Sequence, residues 1–439
     1  MTTETIDLLK LARDGGMPQA EVYRVDSRSQ PVGFEANRLK DASRRDSSGV
    51  ALRVIRDGRL GLSATTDPAA EPGLIDRVKE LSQFGAPAAF QMPPPADYPD
   101  LQTYDPRVEE VKLDDMVETG QSLIDAVRRD WPQLNCDANI SHAVNRVRLT
   151  NSAGVDAEYT GTSYSVGIGG ELIRGEDMLF VWEGYGSTHY FADTDWMVKS
   201  VLQQLELAKE TAPAPHGEVP VIFTPRGVVA TLLSPLLTGL NGKSVLTGSS
   251  PLVDRIGEKV LGDAFSLYDD ATIPRAVGSR PFDDEGVPSR RVPLIQDGVA
   301  RNFLYDLQTA GRMGAESTGA AGRGLSSLPS PGTSVIDIAA GSTPNDDLFA
   351  GIKEGIVVER LLGAGMGNEM GGDFKANVLL GYKIENGRIV GRVKDTMIAG
   401  NVYETLSKIE AVSDTTEWVY GAVRTPAFRC LGVEVSASG

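Results

Sequence analysis

The sequence predicts an α+β protein with a small N-terminal α+β module and a larger β-rich C-terminal domain. Three observations lead there. In the first half, helical spacing alternates with strand spacing: Leu113, Met116, Val117, Gly120, Ile124 and Val127 recur every three to four residues, whereas Val50, Leu52 and Val54 alternate. In the second half, Asp297-Gly298 and Asn386-Gly387 each lie between strand-like runs, the strongest short hairpin signal. Pro-rich stretches at Gly85–Pro99 and Thr211–Pro220 punctuate the chain. They outline a module over 1–90, a middle α+β segment over 100–212 packed with it, and a β-rich domain over 219–439.

Within the first segment, Thr2–Asp14 reads as a helix with Ile6, Leu9 and Ala12 on one face, stopped by Gly15-Gly16. Strands are expected at Glu21–Val25, Val32–Leu39 and Val50–Val54, the last turned at Asp57-Gly58 into Leu60–Ala64. Leu74, Ile75, Val78 and Leu81 predict a helix over Gly73–Phe84. The middle segment opens with a long helix, Val108–Asp130. Strands follow from Asn135 to Tyr190, broken at Asn151–Gly154 and Gly184–Gly186, then a helix over Asp193–Glu210. The last segment starts with a strand at Val221 and two helices, then turns mostly to strands, with helices near Asp346 and over Asn401–Glu410.

Composition bounds the function. A net charge of −17 over 439 residues repels phosphate backbones, and no Lys/Arg stripe interrupts it, so nucleic acid is excluded as a partner. No apolar run reaches the length of a membrane span, so no membrane association is expected. Met1–Gly16 carries acids rather than a basic apolar leader, and Cys136 and Cys430 make no disulfide framework. A cytoplasmic setting is expected, in which the sequon at Asn139-Ile140-Ser141 has no meaning.

The run Arg280–Asp306, with Asp283-Asp284-Glu285 and the Asp297-Gly298 hairpin, is followed by Ser317-Thr318-Gly319, Gly371-Gly372-Asp373-Phe374 and Thr396–Asn401. Together these segments resemble the C-terminal half of the TldD/PmbA family, once called modulators of DNA gyrase, which includes a metallopeptidase. The resemblance implies a two-lobed fold. In the catalytic TldD-like members a helix carries H-E-x-x-x-H and a later Cys completes a zinc site, a spacing that puts both His on one face beside a Glu for water activation. The matching helix, Arg226–Leu240, contains Leu233–Leu240 with no His, Glu or Cys, and the later position near Val419-Tyr420-Gly421 holds no Cys.

This pattern is similar to the metal-free TldE/PmbA branch. The resemblance therefore implies no catalytic residue, metal ligand or cofactor in this chain, with zinc held by a TldD-like partner subunit. It implies a non-catalytic subunit of a metallopeptidase complex that helps form a cleft for small or unfolded peptides. Contacts with peptide or partner are expected at Thr318, Gly319, Gly372, Asp373, Phe374 and Asn401. The isolated chain could form a homodimer. Two alternatives remain: an autonomous peptidase built from dispersed acids and His, and a homodimeric peptide-binding regulatory protein.

Other motifs read as structure. Gly242-Lys243-Ser244 lacks the first Gly of a phosphate loop and follows a helix, so it reads as a helix-ending turn. Gly363–Gly367 misplaces the third Gly of a dinucleotide turn and reads as a loop. Asp283-Asp284-Glu285 lacks calcium-loop spacing and reads as a structural or interface turn. His142, His189 and His216 have no local metal spacing, and Cys136 and Cys430 read as partly buried thiols. The Gly-rich stretch Ala310–Gly332 reads either as a mobile wall ordered by a partner or peptide, or as a surface loop.

Overall fold

The computed structural model describes residues 7–175, 177–363 and 367–437. The start of the predicted first helix and most of the Gly363–Gly367 turn lie outside the described residues. Helix α1 spans Leu8–Asp14, with Asp7 accepting from the Lys10 amide at its start. Seven strands then form one antiparallel sheet: β1 (Gln19–Glu35), β2 (Arg38–Ala42), β3 (Arg45–Arg56), β4 (Arg59–Thr65), β5 (Asn135–Asn151), β6 (Asp156–Arg174) and β7 (Asp177–Ser187). Their order is β4-β3-β1-β5-β6-β7, with β2 on the far end of β1.

Strand β1 is continuous where two strands were expected. The polar run Asp26–Pro31 breaks the apolar alternation, but β5 pairs with all of it and β3 with Asp26–Ser29, Asp26 lying opposite Ser48 of β3 and Arg146 of β5. The expected long helix is two: α3 (Pro106–Glu110), after α2 (Leu74–Leu81), and α4 (Leu113–Asp130). Val111 leaves helical geometry with ψ 121°, and Asp105 with Pro106 starts the first piece separately. The expected break at Gly184–Gly186 is absent, because these glycines lie inside β7; the turn instead falls at Gly175, φ +65°. Helix α5 spans Asp195–Leu207.

The second half builds a thirteen-stranded sheet. Strands β8 (Gly217–Glu218) and β9 (Val221–Phe223) precede a continuous helical segment, made of α6 (Pro225–Val228), a π-helical stretch (Val229–Leu233) and α7 (Ser234–Leu240). Pro235 has no N–H for the Thr231 carbonyl, four residues back, which accounts for the local widening. Asn241 ends α7 and caps α8 (Gly242–Leu246), so Gly242-Lys243-Ser244 opens a helix rather than ending one.

The remaining elements are β10 (Leu267–Asp270), β11 (Arg291–Gln296), β12 (Val299–Ala300), α9 (Leu307–Met313), β13 (Ala321–Gly322), β14 (Ser330–Pro331), β15 (Ile336–Ile338), β16 (Glu354–Leu362), β17 (Asp373–Glu385), β18 (Arg388–Arg392), β19 (Thr396–Asn401), α10 (Val402–Ser407), β20 (Ile409–Val419), β21 (Val423–Cys430) and β22 (Glu434–Ala437). The large sheet runs β12-β11-β10-β15-β21-β9-β16-β17-β19-β22-β8. Both expected hairpins form. Asp297 and Gly298 have φ +51° and +74°, and Asn386 and Gly387 +48° and +76°, the two left-handed positions of a type I′ turn.

The large sheet is buried on both faces. In β9, Val221 and Phe223 face a core containing Leu232, Leu236 and Leu240 of the helical segment. Ile222 between them faces a second core with Met197, Val201 and Leu205 of α5, as does Val357 of β16. That second core also holds Ile140, Val166 and Val181 of the first sheet. Helix α5 therefore packs between the sheets, and period-two alternation along β9 and β16 divides the two cores.

Candidate functional site

The region that the sequence singles out lies where α7 meets the turn before β17 and the start of α10. Asp373 and Asn401 are direct cross-strand partners. Asn401 Nδ2 donates to Asp373 Oδ1 and to the Gly371 carbonyl, both at 2.9 Å, while Asn401 Oδ1 accepts from the Tyr403 amide at 3.0 Å. Gly372 adopts φ +89° and its carbonyl accepts from the Val402 amide at 2.8 Å. Phe374 is buried in the core beneath this turn. Four of the six expected contact residues, Gly372, Asp373, Phe374 and Asn401, thus form one junction.

Thr318 and Gly319 lie elsewhere. Thr318 Oγ1 accepts from the Tyr305 amide at 2.8 Å, and Gly319 adopts φ +73° beside the Pro288 carbonyl. The strip between the two places is short, since Leu304 exchanges backbone hydrogen bonds with Leu240 and Gly242. The Ala310–Gly332 stretch is held by the chain itself: the Ala321 amide donates to Asp283 Oδ2 at 3.0 Å, and the Arg323 side chain is fully buried.

At the α7 end, Ser234 Oγ donates to Glu369 Oε1. Gly239 faces Tyr403, and a Cβ at that position would overlap the Tyr403 hydroxyl. That hydroxyl makes no hydrogen bond among the described residues, and burial pushes its pKa up to about 12. The segment does not fit a zinc ion. Between Ser234 and Gly239 no side chain supplies imidazole, carboxylate or thiolate, and a tyrosine ring occupies the space beside the helix. The described residues contain no group of three or more His, Cys, Asp or Glu placed to hold a metal ion.

The three histidines are separate. His142 sits in β5, where burial lowers its pKa; His189 Nδ1 lies 2.9 Å from Thr188 Oγ1; His216 precedes β8. Both thiols are buried, and burial raises the Cys136 pKa to about 11 and that of Cys430 as well, which removes the thiolate needed for nucleophilic chemistry.

The other end of the same helical segment opens on a cavity of about 560 Å³ between β7, α5 and β20. Arg226 of α6 forms its floor. Its Nη1 donates to Glu359 Oε1 at 2.6 Å and its Nη2 to Glu183 Oε2, which also accepts from Ser200 Oγ at 2.6 Å. Tyr185, Phe191, Trp196 and Trp418 supply aromatic walls, with Tyr185 edge-on to both Phe191 and Trp196. Glu417 reaches solvent at the mouth, yet desolvation by the surrounding walls raises its carboxyl pKa. No sequence motif marks these residues, because they come from five separated elements, β7, α5, α6, β16 and β20, and from the loop that holds Phe191.

The acidic turn Asp283-Asp284-Glu285 is a junction between the sheets. Glu285 Oε1 accepts from Arg53 Nη1 of β3 at 2.5 Å, and Arg53 Nη2 donates to Glu21 Oε2 of β1 at 2.7 Å. Arg323 Nη1 donates to the other Glu21 oxygen at 2.7 Å and stacks over Tyr23 at 4.0 Å. Asp283 accepts from the amides of Glu285, Val287 and Ala321. Burial pushes Asp283 up to about 6 and Glu285 to about 7, whereas Arg323 and Arg53 hold Glu21 below the usual range despite burial.

Residues 216–437 match the PmbA/TldA metallopeptidase C-terminal domain, and residues 20–83 match domain 1 of the same group. The chain is 25% identical over 447 residues to a metalloprotease TldD homolog of Haemophilus influenzae, covering 95% of this chain and 90% of that one. It is 27% identical over 383 residues to a metalloprotease PmbA homolog of the same organism, covering 86% and 78%. Its fold is similar to the crystal structure of TldE from Thermococcus kodakarensis, with a TM-score of 0.89, 24% identity, and coverage of 98% of this chain and 99% of that one.

Proposed function

Because the chain belongs to the PmbA/TldD metallopeptidase family, we propose that it is a non-catalytic subunit that pairs with a zinc-bearing TldD-like chain and contributes walls to a shared peptide cleft. The observation that carries this reading is the α7 end. Ser234 is engaged by Glu369, and Tyr403 fills the space beside Gly239, so the helix that corresponds to the metal-bearing one has neither ligands nor room. Water activation needs a metal or a positioned base, and zinc would come from the partner.

The Gly372–Phe374 turn with Asn401, and Thr318-Gly319 at the far end of the Leu304 strip, are the proposed contacts with peptide or partner. The acidic surface suits a cationic or neutral peptide better than an acidic one. The test is a peptide digest with this chain, a TldD-like partner and their mixture, each with and without chelator. We expect cleavage in the mixture that chelator abolishes, and none by this chain alone. Chelator-insensitive cleavage by this chain alone overturns the non-catalytic reading, and a partner whose activity ignores this chain overturns the subunit role.

A further inference from the structure

We propose that the aromatic cavity between β7, α5 and β20 is a receptor for a basic side chain, lysine or arginine, carried by an extended peptide. The peptide as occupant rests on the function proposed above; the preference for a cation does not.

Charge selects the cation. Among the residues that line the cavity, three carboxylates, Glu183, Asp193 and Glu417, stand against one guanidinium, Arg226, which Glu359 also pairs from behind. Arg226 is already paired through both terminal nitrogens with Glu183 and Glu359, so its charge is more than offset and an anion would meet two carboxylates beside it. Glu417 has no hydrogen bond or ion pair among the described residues, though the walls around it are aromatic. An apolar ligand would desolvate that carboxylate further without compensation, whereas a cation seated beside Trp196 meets an aromatic wall and a free carboxylate together; Trp418 already carries the Arg424 guanidinium, 5.7 Å from its ring centre.

Shape selects a chain over a compact ion. A second recess of about 320 Å³ adjoins the cavity, and the two share Ser200, Arg226 and Glu417. In that recess Asn345 is held by Thr415 and Ser413 and Thr224 caps α6, so the amide of exposed Gln203 is the group on offer to a peptide backbone. Recognition runs through side chains, because the neighbouring edge of β7 is not open to another strand: the Trp182 amide donates to Gln204 Oε1 at 3.2 Å, its carbonyl accepts from Arg360, and Gly421 covers Gly186.

The test uses the isolated full chain and its intrinsic tryptophan fluorescence. The probes are a blocked heptapeptide of alanines with one central arginine, its lysine and citrulline counterparts, and free arginine amide. We expect saturable binding of the arginine and lysine peptides, at least about fivefold tighter than citrulline, weakened by salt and by Glu417→Gln to a similar degree, the scale of one solvent-accessible ion pair. Glu417→Arg, a folded exposed-site control checked by circular dichroism, should abolish the preference. Equal binding of the citrulline peptide, or binding indifferent to both Glu417 variants, overturns the proposal. Free arginine amide binding as tightly as the peptide overturns the extended occupant. No partner and no cleavage enter this measurement, so its failure is distinct from failure of the subunit reading.

Discussion

Arg53 and Glu285 stand 232 positions apart in the chain and meet as a fully buried ion pair at 2.5 Å. Arg53 comes from β3, one strand in from the edge of the first sheet, and Glu285 from the acidic turn of the second half. Breaking a buried pair by removing one partner leaves an uncompensated charge, which costs about 3–5 kcal/mol. Arg53→Met and Glu285→Leu should each lower the urea midpoint accordingly, and the double variant should recover much of the loss. A double variant no better than the worse single one would show that the surrounding network, rather than this pair, sets the cost.

The same cluster makes stability depend on pH. Four carboxylates, Glu21, Asp283, Asp284 and Glu285, face three guanidinia, Arg53, Arg280 and Arg323. Asp283 and Glu285 have folded pKa values of about 6 and about 7, above their ordinary 3.8 and 4.5, so the folded chain holds protons that the unfolded chain has released. Stability should therefore fall as pH rises from about 4 to about 7, by at most about 1.4 kcal/mol per pH unit for each proton. Glu21 acts oppositely: its lowered pKa contributes stability above about 4.5 that is lost on further acidification. His142 and His189, whose pKa values burial lowers, work in the opposite direction, so the cluster is read by difference: between pH 5.5 and pH 8 in urea, Glu285→Gln should lose less stability than the wild type on raising the pH. An identical pH dependence in the two proteins would contradict this.

Gly239 and Tyr403 should behave as a coupled pair. Tyr403→Phe removes a hydroxyl that has no partner and should change stability by less than about 0.5 kcal/mol. Gly239→Ala overpacks the contact and should cost about 1–3 kcal/mol. On the Tyr403→Phe background the alanine should cost less, since the overlapping oxygen is gone. Thermal unfolding of the four proteins reads the cycle, and strict additivity would mean the two sites do not touch.

Zinc should not co-purify with the isolated chain at one equivalent. The α7 segment offers no ligand, and the three histidines sit in β5, beside Thr188 and ahead of β8. Elemental analysis after dialysis reads this directly. Tight stoichiometric zinc lost on substituting any two of His142, His189 and His216 would refute it.

Local signals carried far in this sequence. Asp-Gly and Asn-Gly dictate positive φ at both turn positions, so Asp297-Gly298 and Asn386-Gly387 declare their hairpins without help from the rest of the chain. Longer-range relations did not show. Arg53 is one charged residue inside an alternating strand, and nothing near it in sequence says that its partners are Glu21 and Glu285. The polar Asp26–Pro31 stretch hid the continuity of β1, because pairing with β5, and with β3 over Asp26–Ser29, overrides residue preference. The aromatic cavity was invisible for the same reason: Tyr185, Trp196 and Trp418 share a wall only after two sheets and α5 have packed.

The sharing of Glu21 between Arg53 and Arg323 has a consequence for the order in which the chain is made. At about 5–20 residues per second, Arg53 is added to the growing chain roughly 12–46 s before Glu285. Glu21 is already present, only 32 positions upstream, so the emerging β1–β3 pair carries a neutralised guanidinium rather than a lone one. The nascent sheet can form with its charges balanced. Its own apolar residues Val22, Leu52 and Val54 are covered by Leu8 and Ala12 of α1 and Leu74 and Val78 of α2, all from the first 81 residues, whereas Val32 and Phe34 further along β1 belong to the core that α5 and Val357 later complete.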